Sequence, residues 1–193
     1  MEKNKNGSLW LEQGYILFAE EGLDGIQVER LARILQLNKS GFYHYFGDLE
    51  GYCIELIGLH EKKVNQLIKC ISELSDFDPG YLNLLIANPA TVMFQVQLTR
   101  NKHGFSFYKA SELADQRISN AIAALWSDYL GMGSNEALAL RYYHFVRDMF
   151  YTRVSFDNLN YMFLHNLISE SRQLLIEIPR FWPVSVSRRN ASL

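Results

Sequence analysis

The sequence predicts an all-α protein of about nine helices, with a three-helix N-terminal domain built on a helix-turn-helix and a larger helical domain after it. Three observations predict this class. Apolar residues recur at helical spacing in one segment after another. The breaks between segments carry helix-start and helix-stop residues. With four prolines in 193 residues and no regular run of short alternating segments, a β-sandwich or barrel is excluded.

The elements follow in order. Ser8 is the expected N-cap of a first helix whose stripe is Trp10, Leu11, Gly14, Leu17 and Phe18, closed by Gly22. A short second stripe is Val28, Leu31, Ala32 and Leu35. Gln36-Leu37-Asn38 reads as a turn, and a second short helix runs through Tyr45 and Phe46 to a break at Gly47. Asp48 is placed to cap a long helix reaching about Ser75, with Tyr52, Cys53, Leu56, His60, Val64, Leu67, Ile71 and Leu74 on one face. Asp78-Pro79 and Asn88-Pro89 each read as an N-cap followed by proline at the first helical position. Phe105, Tyr108, Leu113, Ile118, Ile122, Leu125 and Tyr129 then follow a helical period after a loop at 101–104. Ser134 and Asp157 are the expected caps of two last helices, the second ending before Pro179. The domain reading is 1–50, 51–182 and a mobile, Ser-rich tail at 183–193.

Composition narrows the function classes. Lys and Arg total 19 against 21 Asp and Glu, a net charge of -2, so any nucleic-acid signal has to be local. No segment approaches the roughly 18 to 20 apolar residues of a membrane span, and the N-terminus lacks a secretory apolar stretch. Cys53 and Cys70 fall on one helix, about 25 Å apart at 1.5 Å per residue, too far to pair; both are expected as reduced, buried packing residues of a cytoplasmic protein. The chain has no phosphate loop, no Gly-x-Ser-x-Gly and no Cys/His metal spacing, and His44, His60, His103, His144 and His165 share no ligand-like spacing. The expectation is a protein that is not an enzyme, with no cofactor and no metal.

Residues 28–46 have the size of a helix-turn-helix, whose second helix enters the major groove of DNA. Locally Arg30, Arg33 and Lys39 stand against Glu29 alone, a small positive balance inside an acidic chain. Lys39 and the Tyr43 hydroxyl suit phosphates, Ser40 and His44 suit base edges, and Gly41 with Ser40 permits close backbone approach. Phe42 and Phe46, four apart, anchor the helix on the preceding stripe. Short helix pairs of this kind also occur in all-α proteins that bind no DNA, and Tyr43, Tyr45 and His44 have ordinary surface or packing readings.

The run from Trp10 to Tyr52 resembles the DNA-binding domain of the TetR family, the tetracycline-repressor-like bacterial regulators. The resemblance is carried by Leu17-Phe18 and Gly22, by Val28-Glu29-Arg30-Leu31-Ala32, by Leu35-Gln36-Leu37, and by Lys39-Ser40-Gly41-Phe42-Tyr43-His44-Tyr45-Phe46 followed by Asp48-Leu49-Glu50. It implies a repressor that binds a pseudo-palindromic operator in double-stranded DNA as a homodimer and is released by a small-molecule effector. Two positions depart from the family. Ile26-Gln27-Val28 replaces a phosphate-contacting Thr, leaving Gln27 as the donor, and Leu49 replaces a Lys. The first 52 residues carry eight acids against five bases, which predicts modest affinity supported by Lys3 and Lys5 as an arm. An adaptor that binds a protein partner on the same scaffold, with weakened DNA binding, is the alternative reading.

From Pro79 onward the chain is rich in large side chains, which supply a core, a subunit interface or the wall of a cavity for an apolar or aromatic molecule. The expected ligand contacts are Tyr108, Trp126 and Tyr142, with His60 or Arg117 as the polar contact. The last two helices carry more apolar stripe than a hairpin packed on one side requires: Leu138, Phe145, Met149, Leu159, Met162, Phe163, Leu167 and Leu174. They form the expected dimer surface.

Overall fold

The computed structural model describes residues 2–101, 107–133 and 135–181; the tail at 183–193 lies outside them, as do Phe105 and Ser134. The described residues form nine α-helices and no strand: α1 (Glu2–Glu21), α2 (Val28–Leu35), α3 (Lys39–Phe46), α4 (Leu49–Ile71), α5 (Leu82–Ala87), α6 (Pro89–Arg100), α7 (Phe107–Leu130), α8 (Glu136–Arg153) and α9 (Tyr161–Phe181).

Helix α1 starts at Glu2, not at Ser8, so Lys3 and Lys5 lie on its first turns and not on an extended arm. It stops where Gly22 takes a positive φ of 69°, a conformation glycine adopts without Cβ strain. Trp10, Tyr15, Leu17, Phe18 and Ala19 are buried along it. Its most extensive partner is α6, at the middle of the chain, where every residue from Thr91 to Leu98 is buried. A helix without an exposed face at its centre is an interior helix, and α6 is the beam on which the N-terminal domain rests.

The long helix α4 buries Tyr52, Cys53, Leu56, His60, Val64, Leu67 and Ile71, the face expected from the sequence, and is capped by Asp48, whose carboxylate accepts from the Gly51 N–H. Three other caps differ from expectation. Asp76, not Asp78, accepts from the Gly80 N–H at 2.7 Å. Asn135 caps α8 by accepting from Leu138 N–H. Asn160, not Asp157, accepts from Phe163 N–H at 3.0 Å in front of α9's first full turn, and α9 runs through Pro179 to Phe181. In each pair a neighbouring polar side chain reached the orphan N–H groups of the first turn. Cys70 is exposed rather than buried, while burial pushes the Cys53 thiol up to about 12.

Helix α7 inverts part of the expected stripe. Tyr108 and Leu113 face solvent, whereas Phe107, Ser111, Ala114, Ser119 and Trp126 are buried. The buried face is lined with small residues because α7 lies close to α6, where Ser111 meets the side chains of Gln95 and Thr99.

Candidate nucleic-acid interface

Helices α2 and α3 are joined by three residues, and Gln36 makes the bend by taking a left-handed φ of 55°, with its N–H on the carbonyls of Ala32 and Arg33. Asn38 then caps α3 by accepting from the Ser40 N–H at 3.0 Å and from the Ser40 hydroxyl at 3.1 Å. Two side chains hold α3 from below, Phe42 and the half-buried Phe46, whose ring packs on Tyr52 at 4.8 Å. Phe42 is fully buried, edge-on to Trp10 at 5.5 Å and tilted on Tyr52 at 4.9 Å.

With Phe42 turned inward, the helical period turns Lys39, Ser40, Tyr43 and His44 outward. All four are exposed, Tyr43 by 52 %, and Gly41 is half-buried. Gln27 is exposed at the start of α2, where its amide donates to the Asp24 carbonyl at 3.3 Å. The six residues expected to touch DNA thus stand at accessible positions of one small domain. Leu49, at the position where the family carries a lysine, packs against the core.

The electrostatics of this face are restrained. Lys39 Nζ lies 3.0 Å from Glu29, and that hydrogen bond holds the Glu29 carboxyl below its usual range. Arg30 forms two parallel bonds of 2.6 Å to Glu21. Arg33, exposed on α2 and part of the local positive balance, has no ion-pair partner among the described residues.

A second site lies inside the C-terminal half. A cavity of about 70 Å³ is walled mostly by apolar side chains between α4 and α9, among them Leu67, Phe77, Trp126, Phe150 and Ile168, with Tyr81, Thr91, Gln95, Tyr143, Arg147 and Tyr151 as its polar members. Of the five expected ligand contacts, Trp126 is on this wall. Tyr142 stacks on Trp126 at 5.8 Å from behind. His60 is buried one residue away from the wall, bonded to Gln95. Tyr108 is 53 % exposed and bonded to Glu112, and Arg117 is exposed and bonded to Asn65. The missed wall residues Gln95, Arg147 and Tyr151 had one sequence signal: Gln95 stands between Phe94 and Val96 in the mostly apolar run 92–98, which also holds Gln97.

The eight residues expected at a dimer surface divide. Leu138, Phe145, Met162 and Leu174 are exposed, Phe145 by 54 % and Met162 by 64 %, and Met149 and Phe163 are half-buried. Leu159 and Leu167 are buried within the subunit, where they hold α9 to its own core.

One further cluster joins α9 to the turn before α5. His165 Nδ1 lies 2.8 Å from Asp78 and Ser169 Oγ lies 3.4 Å from His165 Nε2, while Tyr161 donates to the same aspartate. The order is that of a Ser–His–Asp relay. Ser169, however, stands inside α9, where the surrounding N–H groups are committed to helical bonds and do not converge as oxyanion donors. The cluster is a tie between two elements. Among the described residues no group of His, Cys, Asp and Glu could hold a metal ion, and no helix is long and apolar enough to cross a membrane.

A buried anchor, a three-residue bend and an accessible polar face on α3 define a helix-turn-helix DNA-binding protein. Residues 11–51 match the family model of the bacterial regulatory proteins of the tetR family. The N-terminal domain is of the TetR family, and the chain is a DNA-binding transcription regulator. No curated protein and no solved structure matches it.

Proposed function

We propose that the protein is a ligand-responsive repressor that binds a pseudo-palindromic operator as a homodimer in the cytoplasm. The observation that carries this reading is the outward face of α3, where Lys39, Ser40, Tyr43 and His44 are exposed together behind the buried Phe42. Lys39, Tyr43, Gln27 and the unpaired Arg33 take phosphates; Ser40 and His44 read base edges, with Gly41 permitting close approach. Residues 1–50 form the DNA-binding unit and residues 51–182 the effector and dimerisation unit.

The dimer rests on the solvent face of α8 and α9. Leu138, Phe145, Met162 and Leu174, flanked by Met149 and Phe163, offer more exposed apolar surface than single scattered residues explain. Pairing two such hairpins sets two recognition helices about 34–36 Å apart, one turn of the duplex. The apolar wall of the cavity favours an apolar effector, with Trp126 on that wall and Tyr142 stacked on it; at about 70 Å³ the cavity has to widen to take one, since ligand pockets span roughly 300 Å³ or more. Occupancy favours a conformer whose helix spacing no longer fits DNA, with the shift carried by α4, which runs from the cavity to the recognition domain.

A second reading, an adaptor that binds a protein partner, draws on the pairing of Lys39 with Glu29 and Arg30 with Glu21, which leaves little free positive charge. Fluorescence anisotropy on DNA from upstream of the protein's own gene, with excess nonspecific competitor, separates the two. Competitor-resistant binding lost in the Lys39→Ala, Tyr43→Ala, His44→Ala triple variant supports the regulator. A protein complex that survives the triple change, without competitor-resistant DNA binding, supports the adaptor.

A further inference from the structure

Gln95 stands at a junction. It is on the cavity wall, it is nine-tenths or more buried, and every polar atom of its side chain is used. Its Nε2 donates to the Ser111 carbonyl at 3.0 Å and to the Asp115 carboxylate at 2.8 Å. Two acceptors on that side fix which end of the amide is nitrogen, and so Oε1 faces His60 Nε2 at 2.9 Å. An amide oxygen only accepts, so His60 carries its proton on Nε2. The neutral ring then offers Nδ1 as an acceptor, and the Tyr15 hydroxyl, 2.8 Å away, must donate to it. Burial pushes His60 down to about 4, which keeps the ring neutral.

The hydrogen bonds therefore run in one direction, from Tyr15 on α1 through His60 on α4 and Gln95 on α6 to Asp115 on α7. At that end Tyr151 also donates to Asp115 at 2.7 Å, and the Arg147 guanidinium lies 3.6 Å from it, both on the cavity wall. The aromatic packing follows the same line: Phe94 stacks on Tyr15 at 4.3 Å and on His60 at 4.6 Å. Chains of buried hydrogen bonds are strong when satisfied and costly when one link is lost. Displacing any member thus forces the others to move.

We propose that Gln95 reports cavity occupancy to helix α1. A ligand whose apolar body fills the cavity displaces Gln95 or Arg147 from Asp115, and the displacement passes through His60 to Tyr15. This rests on the cavity being the effector site, and it adds a side-chain route into the DNA-binding domain beside the covalent one through α4. Tyr15 is a positioning residue in this scheme; it touches neither ligand nor DNA.

The test is hydrogen–deuterium exchange of the full chain, read on peptides covering residues 10–21. The probe is 2-butanone, a small and mostly apolar molecule, whose binding is followed separately by titration calorimetry. A second arm fills the cavity from its far wall with Ile168→Phe and needs no probe. Tyr15→Phe removes one hydroxyl and keeps the stack on Phe94. The expected result is a change of about threefold or more in α1 exchange on occupancy, lost in Tyr15→Phe although probe affinity stays within about twofold. An equal response in Tyr15→Phe, or no response in the natural sequence with the cavity filled, overturns the relay. If the probe does not bind but Ile168→Phe moves α1 through Tyr15, the relay stands and the effector reading of the cavity fails.

Discussion

The Tyr52 hydroxyl crosses α1 at Gly14, donating to the Trp10 carbonyl at 2.5 Å through the space a Cβ at position 14 would fill. The same tyrosine ring packs on Phe42 and Phe46, so the angle at which α3 leaves the domain depends on two residues 38 apart in sequence. Gly14→Ala is expected to lower stability by about 1–3 kcal/mol through overpacking. Urea denaturation measures it, and the Tyr52→Phe background, which removes the nearest atom, should recover part of the loss.

Glu29 holds Lys39 in an exposed ion pair at 3.0 Å, and in the proposed interface it would compete with DNA for that ammonium. Glu29→Gln is expected to tighten operator binding about two- to fivefold, since exposed pairs of this kind are weak. It should also steepen the dependence of log affinity on log salt by about 0.9, the increment of one extra phosphate contact. Anisotropy titrations across a salt series measure both. With the natural sequence, affinity is expected to be modest and to fall as salt rises.

Stability should fall in mild acid. His60 is neutral in the fold and its proton affinity is lowered to about 4 by burial, against an unperturbed value of about 6.5. Unfolding releases a histidine that takes up a proton below pH 6.5, so this contribution is full above that pH and is lost as pH falls toward 4. The size is about 3 kcal/mol for a fully buried ring. Urea midpoints between pH 7 and 4, compared with His60→Leu, isolate the effect: the variant should be less stable at pH 7 and show a shallower decline.

Phe145→Glu with Met162→Glu places two charges on the exposed face of α8 and α9 and leaves the subunit core untouched. Light scattering should find a folded monomer in place of a dimer, with competitor-resistant DNA binding reduced about tenfold or more because one half-site holds the protein weakly.

Much of this architecture was legible in the sequence where residue type and burial coincide. The face of α4 from Tyr52 to Ile71 and the boundaries of α2 and α3 follow directly from apolar period and punctuation. Helix α3 was legible for the same reason, since Phe42 and Phe46, four apart, both turn toward the core. Helix α7 was legible only in part: Ile122 is buried as the period expects, but Ser111, Ala114 and Ser119 share that face, and their smallness lets α6 approach and carries no hydrophobic signal. The polar junction at Gln95 was equally hidden. Its partners His60 and Asp115 lie 35 and 20 residues away, Tyr15 beyond His60 lies a further 45, and only packing brings them together.

The most direct measurement is anisotropy of labelled upstream DNA with excess nonspecific competitor, comparing the natural sequence with the Lys39→Ala, Tyr43→Ala, His44→Ala triple variant. Binding that resists competitor and disappears in the triple variant is the predicted result. Binding of equal strength in both proteins, or none that resists competitor on any upstream or genomic fragment, would contradict the assignment of α3 as the DNA-reading helix.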